Sequence, residues 1–192
     1  MTARVFQFPS RTVAEVSLRA LIKNLVTLRS VSQKEVIPVV KADAYGHGML
    51  AISRALVTRG GCHTLSVATL EEAIELRKRI PYAISILVLS GFFPHQVDAY
   101  IKYRLIPVIH NLAHLKSLAG KRFLPEIHLK VDTGMHRLGI SREELVEAVK
   151  TLKRLDLKLS GLATHFAESE DVTSNFIDRQ IEEFAAIESA LR

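Results

Sequence analysis

The chain has 192 residues, is 48% hydrophobic and 24% charged, and carries a formal net charge of +6. That length suits one good core, and that balance belongs to a globular chain rather than a disordered one. No apolar run reaches the length of a membrane span, Met1 to Ser10 holds no secretory apolar region, and a single cysteine, Cys62, excludes an internal disulfide and fits a reducing compartment.

Apolar runs alternate with amphipathic segments along the whole chain. Thr12 to Ser17 reads as a short strand, and Leu18, Leu21, Ile22, Leu25 and Leu28 then recur at helical spacing. Ile37 to Lys41 reads as a strand, followed by a helix from about Gly48 to Arg59. Leu65 to Ala68 is the next strand. Thr69 and Glu72 have the spacing of a capping box and open a helix to about Arg79. A strand over Ile84 to Ser90 stops at Gly91, and a helix runs from about His95 to Lys102. Strand Leu105 to Ile109 precedes a helix from about Leu112 to Ala119. After strand Glu126 to Asp132, Ser141 and Glu144 cap a helix to about Leu155. Leu157 to Thr164 is the last strand and Asn175 to Leu191 the last helix.

This alternation argues for an α/β protein, a parallel sheet covered by helices. A doubly wound sheet and a (β/α)8 barrel both fit. No glycine-rich dinucleotide fingerprint follows the early strands, which weakens the first. The basic residues are scattered among acidic ones with no block of like charge, so the net charge gives no footprint for nucleic acid.

Chemistry concentrates at strand ends. In Val39-Val40-Lys41-Ala42-Asp43-Ala44-Tyr45-Gly46-His47-Gly48 an apolar run delivers one lysine to a small-residue loop. A lysine at such a mouth can be held out of water, and its amine is then free to attack a carbonyl. Gly46 and Gly48 permit tight turning, and His47 between them reads as structural or solvent-facing. Lys130 alternates with the apolar Ile127, Leu129 and Val131, so it faces away from them, toward a barrel interior or an ion pair with Asp132. Arg137 follows Gly134 in the next loop, where a planar guanidinium suits a carboxylate or phenolate oxygen. His165 ends the sixth barrel-type strand. His110, His114, His128 and His136 show no ligand pattern with cysteines or carboxylates, so no metal is expected. Cys62 has no paired base and reads as a small buried hydrophobe.

The ten-residue string around Lys41 resembles the pyridoxal-phosphate lysine motif of the bacterial alanine racemases. Lys130-Val131-Asp132-Thr133-Gly134-Met135-His136-Arg137-Leu138-Gly139 is similar to that family's second signature, and Ala163-Thr164-His165-Phe166-Ala167 to its third. Ser66 to Thr69, Glu71 to Arg77 and Arg179-Gln180-Ile181 match between and after them, in family order. The resemblance implies a (β/α)8 TIM-type barrel, of which this chain holds about six β/α units and not the family's C-terminal β domain. On that reading residues 1–17 form a strand that joins the β domain, and residues 18–192 form a partial barrel. The chain then looks like an N-terminal portion with open strand edges, expected to oligomerise, aggregate or need further chain.

The resemblance also implies roles. Lys41 would hold pyridoxal 5'-phosphate as an aldimine and serve as one of two bases at the substrate Cα. Tyr45 would contact the cofactor phosphate, Arg137 the cofactor's phenolic oxygen and the substrate carboxylate, and His165 the cofactor ring. In some family members the lysine matching Lys130 is carboxylated and orients the arginine. The implied activity is interconversion of L- and D-alanine, supplying D-alanine for peptidoglycan, in a cytoplasmic homodimer. The family's second base is a tyrosine of the β domain donated across the dimer, beyond Arg192, so the chain alone is expected to racemise poorly or not at all. Another amino-acid racemase of the fold, for serine or a broader set, and a non-catalytic pyridoxal-phosphate-binding fragment are the alternatives.

Overall fold

The computed structural model describes residues 14–120, 126–171 and 173–191. Helix α1 spans Leu18–Ser32 and α2, a left-handed turn, Lys41–Gly46. Helix α3 spans Met49–Thr58. Then come β1 (Thr64–Val67), α4 (Leu70–Arg77) and β2 (Ser85–Val88). A 3-10 turn at Pro94–Gln96 leads into α5 (Val97–Tyr103). The rest is β3 (Ile106–Ile109), α6 (Leu112–Lys116), β4 (Ile127–Lys130), α7 (Arg142–Arg154), β5 (Leu159–Ala163) and α8 (Phe176–Leu191).

All five strands pair in parallel in the order β1-β2-β3-β4-β5, with helices between them. This is successive β/α packing without the reversal of strand order that defines a doubly wound sheet, so the open part of a barrel is what forms. Ahead of β1, the chain at Pro38–Val40 adds a rudimentary strand: Ser66 N–H donates to Pro38 O at 2.9 Å and Val40 N–H to Ser66 O at 2.8 Å. The expected full strand over Ile37 to Lys41 shrinks to one bridge, Val39 to Ser66. Pro38 has no N–H to give a ladder, and among the described residues only β1 pairs with this segment. Ile37 and Val39 are correspondingly exposed.

The core lies between sheet and helices. Leu65, Val67, Ile86, Ile109, Ile127 and Leu129 are all but fully buried, in one core with Ala73 and Leu76 of α4 and Ala148 and Leu152 of α7. Both capping boxes form as the spacing predicts. Thr69 and Glu72 close one at α4, and Ser141 and Glu144 close another at α7. The expected opening strand falls differently. Thr12 and Val13 lie outside the described residues, 14–17 form no strand, and Ser17 caps α1 by accepting the Ala20 N–H at 3.2 Å. Helix α6 stops at Lys116, short of the expected Ala119, because the chain turns toward Gly120 at φ +73°.

An apolar cleft of about 500 Å³ opens beside the first strand, lined by Leu21, Leu25, Leu28, Val36, Val39 and Tyr45 among others. It accompanies exposed Val26, Leu28 and Val31 on α1. No described helix is long and apolar enough to cross a membrane.

Candidate active site at the carboxyl ends of the strands

Parallel strands put all their carboxyl ends on one rim, and the candidate site residues lie there. Lys41 follows the rudimentary strand, Lys130 closes β4, Arg137 is in the loop after it, and His165 lies two residues beyond β5. His110, at the end of β3, joins them.

The Lys41 segment is not the simple loop that its sequence suggests. Ala42, Asp43, Ala44 and Tyr45 all have positive φ, from 51° to 56°, and form a left-handed turn. L-residues avoid this conformation because Cβ crowds the following carbonyl. The turn is held from several sides. Ala44 N–H donates to Val40 O at 3.0 Å and Gly48 N–H to Asp43 O at 2.9 Å. Asp43 Oδ1 accepts the Met49 N–H at 2.7 Å and so caps α3. His47 Nδ1 lies 2.9 Å from Ala44 O, in keeping with a structural part. The turn brings Lys41 Nζ to 5.7 Å from the centre of the exposed Tyr45 ring.

The second loop is fixed by its own aspartate. Asp132 Oδ1 accepts N–H bonds from Gly134 at 2.9 Å and His136 at 3.1 Å, and the His136 ring lies 3.5 Å from Oδ2. Burial alone would raise the Asp132 carboxyl, but these donors and the His136 ring outweigh it and hold it below the usual range. Asp132 N–H donates to Ile140 O and Ile140 N–H to Lys130 O, so the loop closes on the end of β4. Gly139 sits at φ +149°, where a Cβ would stand 2.5 Å from Asp132 N. Buried Gln180 of α8 ties this loop to the third. Its Nε2 donates to Thr133 Oγ1 at 3.1 Å and His165 O at 3.0 Å, and its Oε1 accepts the Ala167 N–H at 2.9 Å. Thr133 and Thr164 hydroxyls meet at 2.7 Å.

The electrostatics bring these residues into one field. Burial lowers the His165 pKa, and the charges of Lys130, Arg137 and Lys41 push it further down. Burial and Arg137 also lower Lys130, against the opposing pull of Asp132. That carboxylate is already engaged by Gly134, His136 and the His136 ring, and among the described residues Lys130 forms no ion pair. His110 is lowered by burial and by His114, with Lys130 contributing. The rim therefore gathers the side chains of Lys41, Lys130 and Arg137 near the exposed His165 ring, an arrangement suited to an anionic ligand. Among the described residues no group of three or more His, Cys, Asp or Glu could hold a metal.

Sequence reasoning missed two residues that build this site. Glu72 reads from its spacing only as a cap, but its Oε1 also accepts the Ala42 N–H at 2.7 Å, a reach with no local signal. Gln180 stands within the matched Arg179-Gln180-Ile181, but a polar residue in the second turn of an amphipathic helix gives no sign that it is buried.

The family model "Alanine racemase, N-terminal domain" matches residues 16–192. The alanine racemase of Nitrosomonas europaea is 40% identical over 181 residues, covering 91% of this chain and 49% of its own. Among solved structures, the alanine racemase of Bartonella henselae with covalently bound pyridoxal phosphate superposes with TM-score 0.84 at 29% identity, covering 92% of this chain and 53% of that one. A histidine racemase of Leuconostoc mesenteroides superposes with TM-score 0.77 at 29% identity over 87% of this chain and 46% of its own. The chain spans about half the length of the relatives that it matches. Ordered motifs, a partial β/α barrel and a match over nearly the whole chain agree: the chain belongs to the alanine racemase N-terminal domain family.

Proposed function

We propose that this chain contributes the cofactor-holding half of a pyridoxal 5'-phosphate-dependent alanine racemase. The observation that supports it best is the position of Lys41, Lys130, Arg137 and His165 together at the carboxyl ends of the parallel strands. Such a cation cluster fits a ligand that carries a phosphate and a phenolate oxygen and reacts with an amine. Lys41 would hold it covalently, Tyr45 would bind its phosphate through the hydroxyl, Arg137 its phenolic oxygen, and His165 would lie against its ring. When bound, the cofactor supplies an electron sink for the charge left at a substrate Cα after proton loss.

The chain's own residues account for the rest. Arg137 presents a permanently charged fork to the substrate carboxylate and thereby orients the Cα–H bond. The Lys41 amine, once free, takes or returns a proton at Cα on one face. A neutral His165 beside three cations adds no further positive charge. Burial and Arg137 raise the neutral fraction of Lys130, and the neutral amine is the form that adds carbon dioxide. The ammonium would first give up one proton, and the neutral nitrogen would then bond the carbon and release a second, so that two protons leave as a confined cation becomes an anion facing Arg137.

Racemisation needs a base on the opposite face as well, and on this reading a tyrosine of a β domain supplies it across a homodimer. Residues 1–17 would join that domain, with 18–192 forming the barrel part. The product, D-alanine, would serve peptidoglycan synthesis in the cytoplasm. The structural likeness to a histidine racemase favours one alternative, a different amino-acid substrate on the same barrel.

The deciding experiment titrates the 192-residue chain with pyridoxal phosphate while the visible spectrum is recorded, with Lys41→Ala as control. A band in the native chain and none in the variant is the expected result. Deuterium uptake at the Cα of alanine, serine and histidine then separates the substrates. A band that survives Lys41→Ala would remove Lys41 from its role.

A further inference from the structure

Helix α4 begins with a reciprocal cap. Thr69 Oγ1 accepts the Glu72 N–H at 3.3 Å, and Glu72 Oε2 accepts N–H bonds from Ala68 at 2.8 Å and Thr69 at 3.2 Å. This is all that a capping box asks of its glutamate. The other oxygen goes elsewhere. Glu72 Oε1 accepts the Ala42 N–H at 2.7 Å, across 30 residues of sequence. Ala42 is exposed, follows Lys41 directly, and is the first residue of the left-handed run.

We infer that Glu72 is a positioning residue for the Lys41 site, clamping the start of the left-handed turn to the N-terminus of α4 through the Ala42 N–H. The functional part of this inference rests on the role of Lys41 proposed above. A left-handed turn of L-residues is strained and persists only where its surroundings over-determine it. The bonds from Ala44, Gly48 and Met49 lie within the turn and its continuation into α3. Glu72 supplies a restraint from a different element, at the peptide that joins Lys41 to the turn. Its α4 anchor is rigid, since Ala73 and Leu76 are fully buried. The clamp therefore sets the direction in which Lys41 leaves Val40 and the place of Tyr45 four residues on.

The chemistry of the clamp makes it testable by an isosteric change. Both carboxyl oxygens of Glu72 act as acceptors, one toward Ala42 and the other toward Ala68 and Thr69. In Glu72→Gln one oxygen remains. Two N–H groups converge on the Oε2 side and one on the Oε1 side. The amide oxygen turns to the pair, and its NH2 is left facing the Ala42 N–H. That variant keeps the cap and loses the clamp. Thr69→Ala does the converse, removing the hydroxyl half of the cap and leaving the Ala42 bond.

The test is residue-resolved amide hydrogen exchange on the full chain, with no cofactor present. In the native chain the Ala42 amide should exchange slowly despite its exposure; an unprotected native Ala42 amide overturns the clamp without any variant. In Glu72→Gln the Ala42 amide should exchange at least about tenfold faster, the loss of one hydrogen bond to a charged group, while Ala68 and Thr69 stay protected. In Thr69→Ala it should keep its native rate despite a lower unfolding midpoint. The second readout is attachment of pyridoxal phosphate to Lys41, fixed with borohydride and located by mass spectrometry. Glu72→Gln should need about tenfold more reagent for half-labelling and Thr69→Ala no more than native. Unchanged Ala42 exchange in Glu72→Gln, or faster exchange with unchanged labelling, overturns the inference. If the native chain itself takes no label at Lys41, the functional reading fails, and Ala42 exchange alone decides the clamp.

Discussion

Arg77 shows how one side chain can organise a fold. It is 3% exposed, yet among the described residues its guanidinium meets no carboxylate. It donates instead to four carbonyls, Tyr103 O at 2.9 Å, Pro81 O at 2.9 Å, Ile84 O at 2.8 Å and Arg104 O at 3.1 Å. These carbonyls flank β2 and lead into β3. One planar fork therefore aligns the entry to two neighbouring strands, and a lysine could not reach four acceptors at once. Arg77→Met keeps most of the volume but leaves several buried carbonyls unmet, so a loss of roughly 3 kcal/mol or more is expected in urea unfolding. A loss under about 1 kcal/mol would mean that water replaces the guanidinium there.

At the scale of elements, what was legible followed periodicity and caps. Both capping boxes, all ten segments of β/α alternation from Leu65 onward and the placement of Lys41, Arg137 and His165 at strand ends can be read from the residues, because each is encoded locally. What was not legible depends on partners far along the chain. The first strand is apolar enough to be a strand, but Pro38 gives no N–H and among the described residues only β1 pairs with it, so it comes down to one bridge. The turn after Lys41 carries only modest turn signals, and four residues of positive φ including Tyr45 run against every local preference. Gln180 and Glu72 look like ordinary helix polar residues and act through contacts with loops 13 to 47 residues away. The site's residue types were therefore visible, while the groups that hold them in place were not.

For the whole molecule, burial acts in one direction on three histidines. His110, His128 and His165 are all lowered, each chiefly by burial. The folded chain keeps them neutral where the unfolded chain would bind protons. Below about pH 6.5 the unfolded state therefore holds more protons, and stability falls as pH drops from there through the folded-state values. A falling unfolding temperature between pH 7.5 and 5.5 is the expected outcome. His128→Asn should make the fall shallower, because the His128 ring, packed over Gly161, then contributes no proton. A midpoint independent of pH over that window would show that these rings titrate alike in both states.

The left-handed turn after Lys41 also has a consequence for the order of assembly. At about 1–2 kcal/mol per L-residue it cannot form by itself. It becomes favourable only after β1 has paired with Pro38–Val40 and α4 has brought up its carboxylate. The turn should thus be absent from the folding transition state and appear on the native side of the barrier. Asp43→Ala, which removes the 2.7 Å bond to Met49, should then lower stability by about 1 kcal/mol almost wholly by faster unfolding, with the refolding rate unchanged. The segment that carries Lys41 would be the last part of the chain to lock and the first to let go.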